Sequence, residues 1–224
     1  MDFYGIIRDS LPELIYGAKL TLYYSLATIL LATVVGLFFA LCKLSHSRVF
    51  RKIGETYVHI FRGLPLIVEI FYVYFALPMI LPLHQWFDPY FTPVAGIIAL
   101  TLNEGAYITE IIRAGILSIQ RGQTEAALSI GMNTYQTMRY IILPQAFKRM
   151  IPPLVNQFIQ TIKDTSLLSV ISINELTRQG QIIISTTFSS LQIWTAVAFI
   201  YLAIILSLTA LSGYLERKYQ IARR

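Results

Sequence analysis

The chain has 224 residues, 55% of them apolar and only 13% charged, against about 25% charged in an ordinary soluble domain. The mean hydropathy of +0.60 exceeds what a water-soluble globule of this length buries, and the 13% aromatic content excludes disorder. A single cysteine (Cys42) excludes intrachain disulfides and multi-cysteine zinc sites; His46, His59 and His84 form no His-x-x-x-His pair, and no Gly-Lys-Ser/Thr phosphate loop occurs. The reading that survives is an all-α integral membrane protein forming one transmembrane domain over residues 1–224, with no metal or other cofactor of its own.

A bilayer crossing needs about 20 apolar helical residues. Tyr4 to Tyr16, containing Pro12, reads as a short segment on the outer surface. Leu20 to Cys42 follows, 23 residues without a formal charge, and gives the first span, 20–42. The nearby acids Asp2, Asp9 and Glu13 and the length of the run argue against a cleavable signal. The second span, 57–81, is interrupted only by Arg62 and Glu69 and closed by Pro78 and Pro82. Trp86, Phe87, Tyr90 and Phe91 read as an interfacial aromatic belt. The third span, 93–113, carries Asn103, Glu104 and Glu110. The fourth, 150–172, opens with Pro152 and Pro153, which a first helical turn tolerates, and holds Lys163 and Asp164. Gln179 to Leu215 is free of formal charge over 37 residues, too long for one crossing, so the fifth span is 191–215 and residues 173–190 form an outer connection.

Thirteen of the 18 Lys and Arg fall after span one, after span three or in the tail. Three (Arg8, Lys19, Arg178) lie opposite, and two (Arg62, Lys163) lie within spans. The positive-inside bias places the N-terminus outside and the C-terminus in the cytoplasm. The same asymmetry accounts for the net charge of +6 without nucleic acid as a partner.

The cytoplasmic connection 114–149 contains Gln123-Thr124-Glu125-Ala126-Ala127, a helix start with a candidate cap and an acid in its first turn. Gly131 and Asn133, which tolerate positive φ, are expected to end that helix. A short helix with small residues at its exposed turn suits insertion into a groove of a cytoplasmic partner; an interfacial helix lying on the headgroups is the plainer alternative.

The stretch EAALSIGMNTYQTMRYIILP, Glu125 to Pro144, resembles the coupling loop of membrane subunits in ATP-binding-cassette importers. Glu125, Ala126, Ala127, Gly131, Ile141, Leu143 and Pro144 all stand at the family's spacing. The stretches Arg62-Gly63-Leu64-Pro65, Asn103 to Arg113, Lys163 to Leu167 and Glu175 to Gln179 extend the likeness to the polar amino-acid branch, with Leu64 a departure where Thr is frequent. The resemblance implies a bacterial inner-membrane, multi-pass permease subunit that performs no covalent chemistry. Its implied partners are a separate ATP-hydrolysing subunit holding ATP and Mg, a second permease subunit (identical or homologous), an extracytoplasmic substrate-binding protein, an amino-acid substrate and membrane lipid. It assigns Glu125, Ala126, Ala127 and Gly131 to coupling with the ATPase. The outer connection, with Glu175 and Arg178, then reads either as a gate or receiving surface for the binding protein or as an interfacial helix.

Ionisable groups lie at similar depth on three spans: Glu69; Asn103 with Glu104; Lys163 with Asp164. An ionised group facing lipid there costs roughly 2.5–3.5 kcal/mol, so these residues are expected to face the bundle interior or a wet cavity. Helical spacing puts Arg62, Glu69 and Tyr72 on one face, Asn103, Tyr107 and Glu110 on another, and Asn156, Gln160, Lys163 and Asp164 on a third. Glu69, Asn103, Glu104, Tyr107, Gln160, Lys163 and Asp164 are therefore the candidate substrate path, with a lean towards cationic or zwitterionic amino acids. The alternative is structural: Lys163 neutralises Asp164, Glu69 or Glu104, and Glu110 pairs with Arg113 one turn away. Two rival functions are an intramembrane enzyme, for which no Gly-x-Ser-x-Gly turn exists, and a passive channel or accessory scaffold, which leaves the coupling pattern unexplained.

Overall fold

The computed structural model describes residues 3–218. Among them the regular elements are all helical. Helix α1 (Phe3–Leu44) runs unbroken for 42 residues, about 63 Å at 1.5 Å per residue and roughly twice a 30 Å hydrocarbon core. The expected separation of an outer segment from span 20–42 does not occur, because Pro12 is accommodated inside the helix. Its missing N–H withholds one bond from the Arg8 carbonyl, and both residues are exposed. Thr21, Ser25, Thr28, Ala32, Gly36 and Ala40 are buried at steps of three and four. This stripe of small residues lets α5 (Phe91–Leu117) lie close. A Cβ on Gly36 would stand 2.6 Å from the Ile108 side chain, and the Thr109 hydroxyl bonds the Gly105 carbonyl at 2.8 Å with the Gly36 carbonyl at 3.2 Å.

The segment expected as one span, 57–81, is divided. Helix α2 (Arg48–Gly63) ends in the middle of it, and α3 (Leu66–Phe71) begins a new direction, continued by a π turn over Tyr72–Ala76 and a 3-10 turn over Leu77–Met79. The two directions differ by 103°. Pro65 is the cause: it supplies no N–H, and its ring pushes Leu64 out of the helical region, to φ −100° and ψ 145°. Arg62 and Glu69 are thereby placed on different helices, and Tyr72 is exposed, so the single face expected for those three residues does not exist.

A short α4 (Leu83–Phe87) leads into α5, which extends beyond the expected 93–113 at both ends. The connection folds into α6 (Arg121–Ser129) and α7 (Thr134–Thr137), whose π turn over Met138–Ile142 runs into α8 (Leu143–Asp164). Pro152 and Pro153 lie inside α8 rather than in its first turn, because the helix starts seven residues before the expected 150. The carbonyls of Lys148 and Arg149 lose their helical donors in consequence. After Asp164 the chain tightens into a 3-10 turn, Thr165–Ile171, and stops at Ser172 with φ 63°. Helix α9 (Leu176–Thr187) occupies the connection 173–190, and α10 (Ser190–Lys218) contains 191–215.

Three main core clusters hold these helices together. One joins α3, α4, α5 and the turn after α8 through Ile70, Val73, Phe91, Leu100 and Leu168. A second packs the start of α1 on α9 and α10, with Leu14, Leu176 and Ile193 fully buried. A third seals the other end of α1 against α5 and α8 around Ile108, Ile142 and Met150. Among the described residues, α1 and α10 are by themselves long and apolar enough to cross a membrane, and the bent pair α2–α3 makes a third crossing if counted as one.

Candidate functional site

The break between α2 and α3 opens a cavity of about 440 Å³ bounded by Leu64, Pro65 and Leu66 on one side. Asn103 and Tyr107 of α5 and Gln157, Gln160 and Asp164 of α8 complete it. Asn103 organises the break. Its Nδ2 donates to the Phe61 carbonyl in the last turn of α2 at 2.9 Å and to Glu69 Oε1 in the first turn of α3 at 3.1 Å. Across the cavity, Gln160 Nε2 donates to Asp164 Oδ1 at 3.0 Å. The lining thus offers amide donors and acceptors, one phenol and one carboxylate, a set that fits the ammonium and carboxylate of a small zwitterion.

Four of the seven expected path residues line this cavity: Asn103, Tyr107, Gln160 and Asp164. Two stand behind the wall. Glu69 is 4% exposed, and Glu104 is fully buried and accepts a bond from Gln157 Nε2 at 2.7 Å. One oxygen of each, Glu69 Oε2 and Glu104 Oε1, is buried without a hydrogen-bond partner among the described residues. Lys163 is exposed, lies outside the lining, and makes no ion pair within 4 Å to Asp164, Glu69 or Glu104 among the described residues. The direct ion pair that the structural alternative would give Lys163 is therefore not formed among the described residues. Besides the apolar Leu64, Pro65 and Leu66, Gln157 is the polar lining residue that sequence reasoning misses. Its spacing of three and seven from Gln160 and Asp164 places it on their face.

One turn beyond Tyr107 on α5, Glu110 binds Arg113 at 2.9 Å, as the i,i+3 spacing suggests, and also contacts Lys43 at the end of α1. This three-residue node locks α1 to α5.

Helix α6 starts at Arg121, two residues before the expected Gln123. Its N-cap is Gln120, whose side chain makes no capping bond, so Thr124 does not cap it. Glu125 is exposed and pairs with Arg121 at 3.0 Å; Ala126 is exposed, and Ala127 turns inward. Gly131 ends the helix at φ +87°, with its N–H on the Leu128 carbonyl at 3.0 Å and the Met132 N–H on the Ala127 carbonyl at 3.1 Å. Asn133 does not share that role: it starts α7 with a reciprocal capping box to Gln136. Leu128 and Ile130 project from the end of α6, 48% and 79% exposed.

In the connection 173–190 Glu175 is fully buried, so it offers no surface of its own to a binding protein. Its carboxylate caps α9 by accepting the N–H groups of Thr177 at 2.9 Å and Arg178 at 2.8 Å, and accepts the Tyr201 hydroxyl of α10 at 2.9 Å. The Leu176 N–H donates to the Thr21 hydroxyl of α1 at 3.1 Å. Burial pushes the Glu175 carboxyl above its usual range, against the opposing pull of those donors.

Residues 32–221 match the family of binding-protein-dependent transport system inner membrane components. The chain is 41% identical over 218 residues to the glutamine transport system permease protein GlnP of Escherichia coli (strain K12), covering 97% of this chain and 98% of the relative. It is 34% identical to the arginine transport system permease protein ArtQ of Bacillus subtilis (strain 168), covering 97% of both. Among solved structures, a chain from an amino acid ABC transporter crystallised with histidines superposes with a TM-score of 0.88 at 35% identity, covering 97% of this chain and 99% of that one. A chain of the MetNI methionine ABC transporter, at 18% identity and a TM-score of 0.75, shares the fold. With its loop pattern, its helical architecture and these matches along nearly its whole length, the chain belongs to the family of binding-protein-dependent transport system inner membrane components, in the branch of amino-acid ABC transporter permeases.

Proposed function

We propose that this permease carries a polar amino acid through the cavity at the α2–α3 break, driven by a separate subunit that hydrolyses ATP with Mg. The observation that carries this reading is the lining itself: Asn103, Gln157, Gln160 and Asp164 converge on one space where a helix is broken, backed by two buried carboxylates. Broken backbone inside a membrane protein is tolerated where it borders a cavity. The chain crosses the bilayer five times, by α1, the α2–α3 pair, α5, α8 with its 3-10 extension, and α10, with the N-terminus outside and the C-terminus in the cytoplasm. Helix α6 is then cytoplasmic, and its exposed Glu125, Ala126, Leu128 and Ile130, shaped by Gly131, form the knob on which the ATPase acts. A second permease subunit covers the exposed side of α8 that carries Asn156 and Lys163, and an extracytoplasmic binding protein delivers substrate. The relatives named for glutamine and for arginine support a polar amino acid, neutral or cationic.

Reconstitution into vesicles with the ATPase subunit tests this reading. Amino-acid uptake that requires ATP and both subunits is expected. Downhill flux through this chain alone would instead establish a channel.

A further inference from the structure

We propose that Tyr107, held in place by Arg62, is the inner gate of the translocation path. This rests on the reading of the chamber as the substrate path. Two further cavities, of about 460 and 380 Å³, lie on the Glu110 side of the chamber. Tyr107 borders both of them and the chamber, and no other side chain borders all three. Gln157 borders the chamber and the first of the two, so Tyr107 and Gln157 together form the partition.

The two halves of that partition are held very differently. Gln157 is anchored by the 2.7 Å bond to buried Glu104. The Tyr107 hydroxyl makes no hydrogen bond among the described residues, and its ring is held by the Arg62 guanidinium, 4.9 Å from the ring centroid. Arg62 is free for this contact because Glu110, the acid lining the same cavities, is engaged by Lys43 and Arg113.

The break leaves Arg62 at an exposed helix end. The last backbone bond of α2 is Leu64 N–H to the Ile60 carbonyl, and the first of α3 is Val68 N–H to the Pro65 carbonyl. Asn103 and Tyr57 hold the backbone of α2 on α5, through the Phe61 and Leu102 carbonyls, so the moving part is the exposed Arg62 side chain beside the break. A change of its rotamer withdraws the guanidinium from the ring while the Lys43–Glu110–Arg113 node keeps α5 and α1 together. The released ring changes rotamer and joins the chamber to the inner cavities.

Accessibility from the inner side tests this in the complete importer. In a Cys42→Ala background, Gln160→Cys places a thiol in the chamber, and a membrane-impermeant maleimide is added to inside-out vesicles. Tyr107→Ala should speed labelling roughly tenfold, and Arg62→Gln, at an exposed position that does not endanger folding, by several-fold, the scale of losing one cation–π contact. Tyr107→Phe keeps the ring and should label like the parent. Equal rates in the parent, Tyr107→Ala and Arg62→Gln would overturn the gate, as would Tyr107→Phe labelling as fast as Tyr107→Ala. ATP-driven uptake by wild-type vesicles, measured in parallel, tests the underlying path reading separately. If it is absent while the labelling pattern holds, the path reading fails and the partition stands.

Discussion

Glu104 has no exposed surface, yet it bears on the chamber through Gln157. Replacing it with Leu removes the acceptor of the half-buried Gln157 amide, at about 0.5–1.5 kcal/mol for one lost hydrogen bond, and frees that side chain to move in the chamber. Glu104→Leu should therefore lower both the thermal midpoint and the uptake rate, whereas Glu104→Gln should keep most of each; melting curves and uptake on the same preparations check this. Glu175 contributes a pH dependence of its own. Its pKa is raised in the fold, so between the unfolded value of about 4.3 and the raised folded value the native state holds a proton that the unfolded state releases. Stability from this group is fully present below that window and falls as pH rises through it. The melting temperature of wild type relative to Glu175→Gln should decline as pH is raised from 4 towards neutrality; a constant difference would contradict the assignment. Asn103, Tyr107, Gln160 and Asp164 are legible as lining from spacing and the cost of facing lipid. Glu69 and Glu104 are not separable from them, because sequence gives the depth of a carboxylate but not whether a neighbouring amide stands in front of it.

Among the elements, the sequence signal for the α2–α3 break is present as Gly63-Leu64-Pro65, but apolar residues on both sides of Pro65 make 57–81 look continuous. Hydropathy reports that a segment is apolar, not whether its axis turns. The long α1 is hidden for the opposite reason: Arg8, Asp9, Glu13 and Pro12 suggest a boundary, while the buried stripe of Leu14, Gly17, Ala18 and Thr21 carries the helix through. In the connection, Gly131 stops α6 as its residue type suggests, and its φ of +87° makes the consequence specific. A side chain there costs about 1–2 kcal/mol of backbone strain, more for a β-branched residue. A Cβ at this position would meet no atom within 4 Å, so the strain stays local. Gly131→Val should leave the melting temperature of the membrane bundle nearly unchanged while sharply reducing ATP-dependent uptake; normal uptake would refute the role of this turn.

At the scale of the whole molecule, composition, the charge asymmetry and the Glu125–Pro144 pattern reveal the class of protein, and the family and relatives agree with that class. The tertiary arrangement around the break is beyond reach of the sequence, since it depends on which faces of α5 and α8 meet there. Transport by the route proposed requires the chamber to hold the amino acid on its way through. A structure of the assembled importer at saturating substrate tests this most directly. Density for an amino acid within hydrogen-bond distance of Asn103, Gln157, Gln160 and Asp164 is the expected result. Substrate bound elsewhere in the assembly, with only water between these four residues, would contradict it.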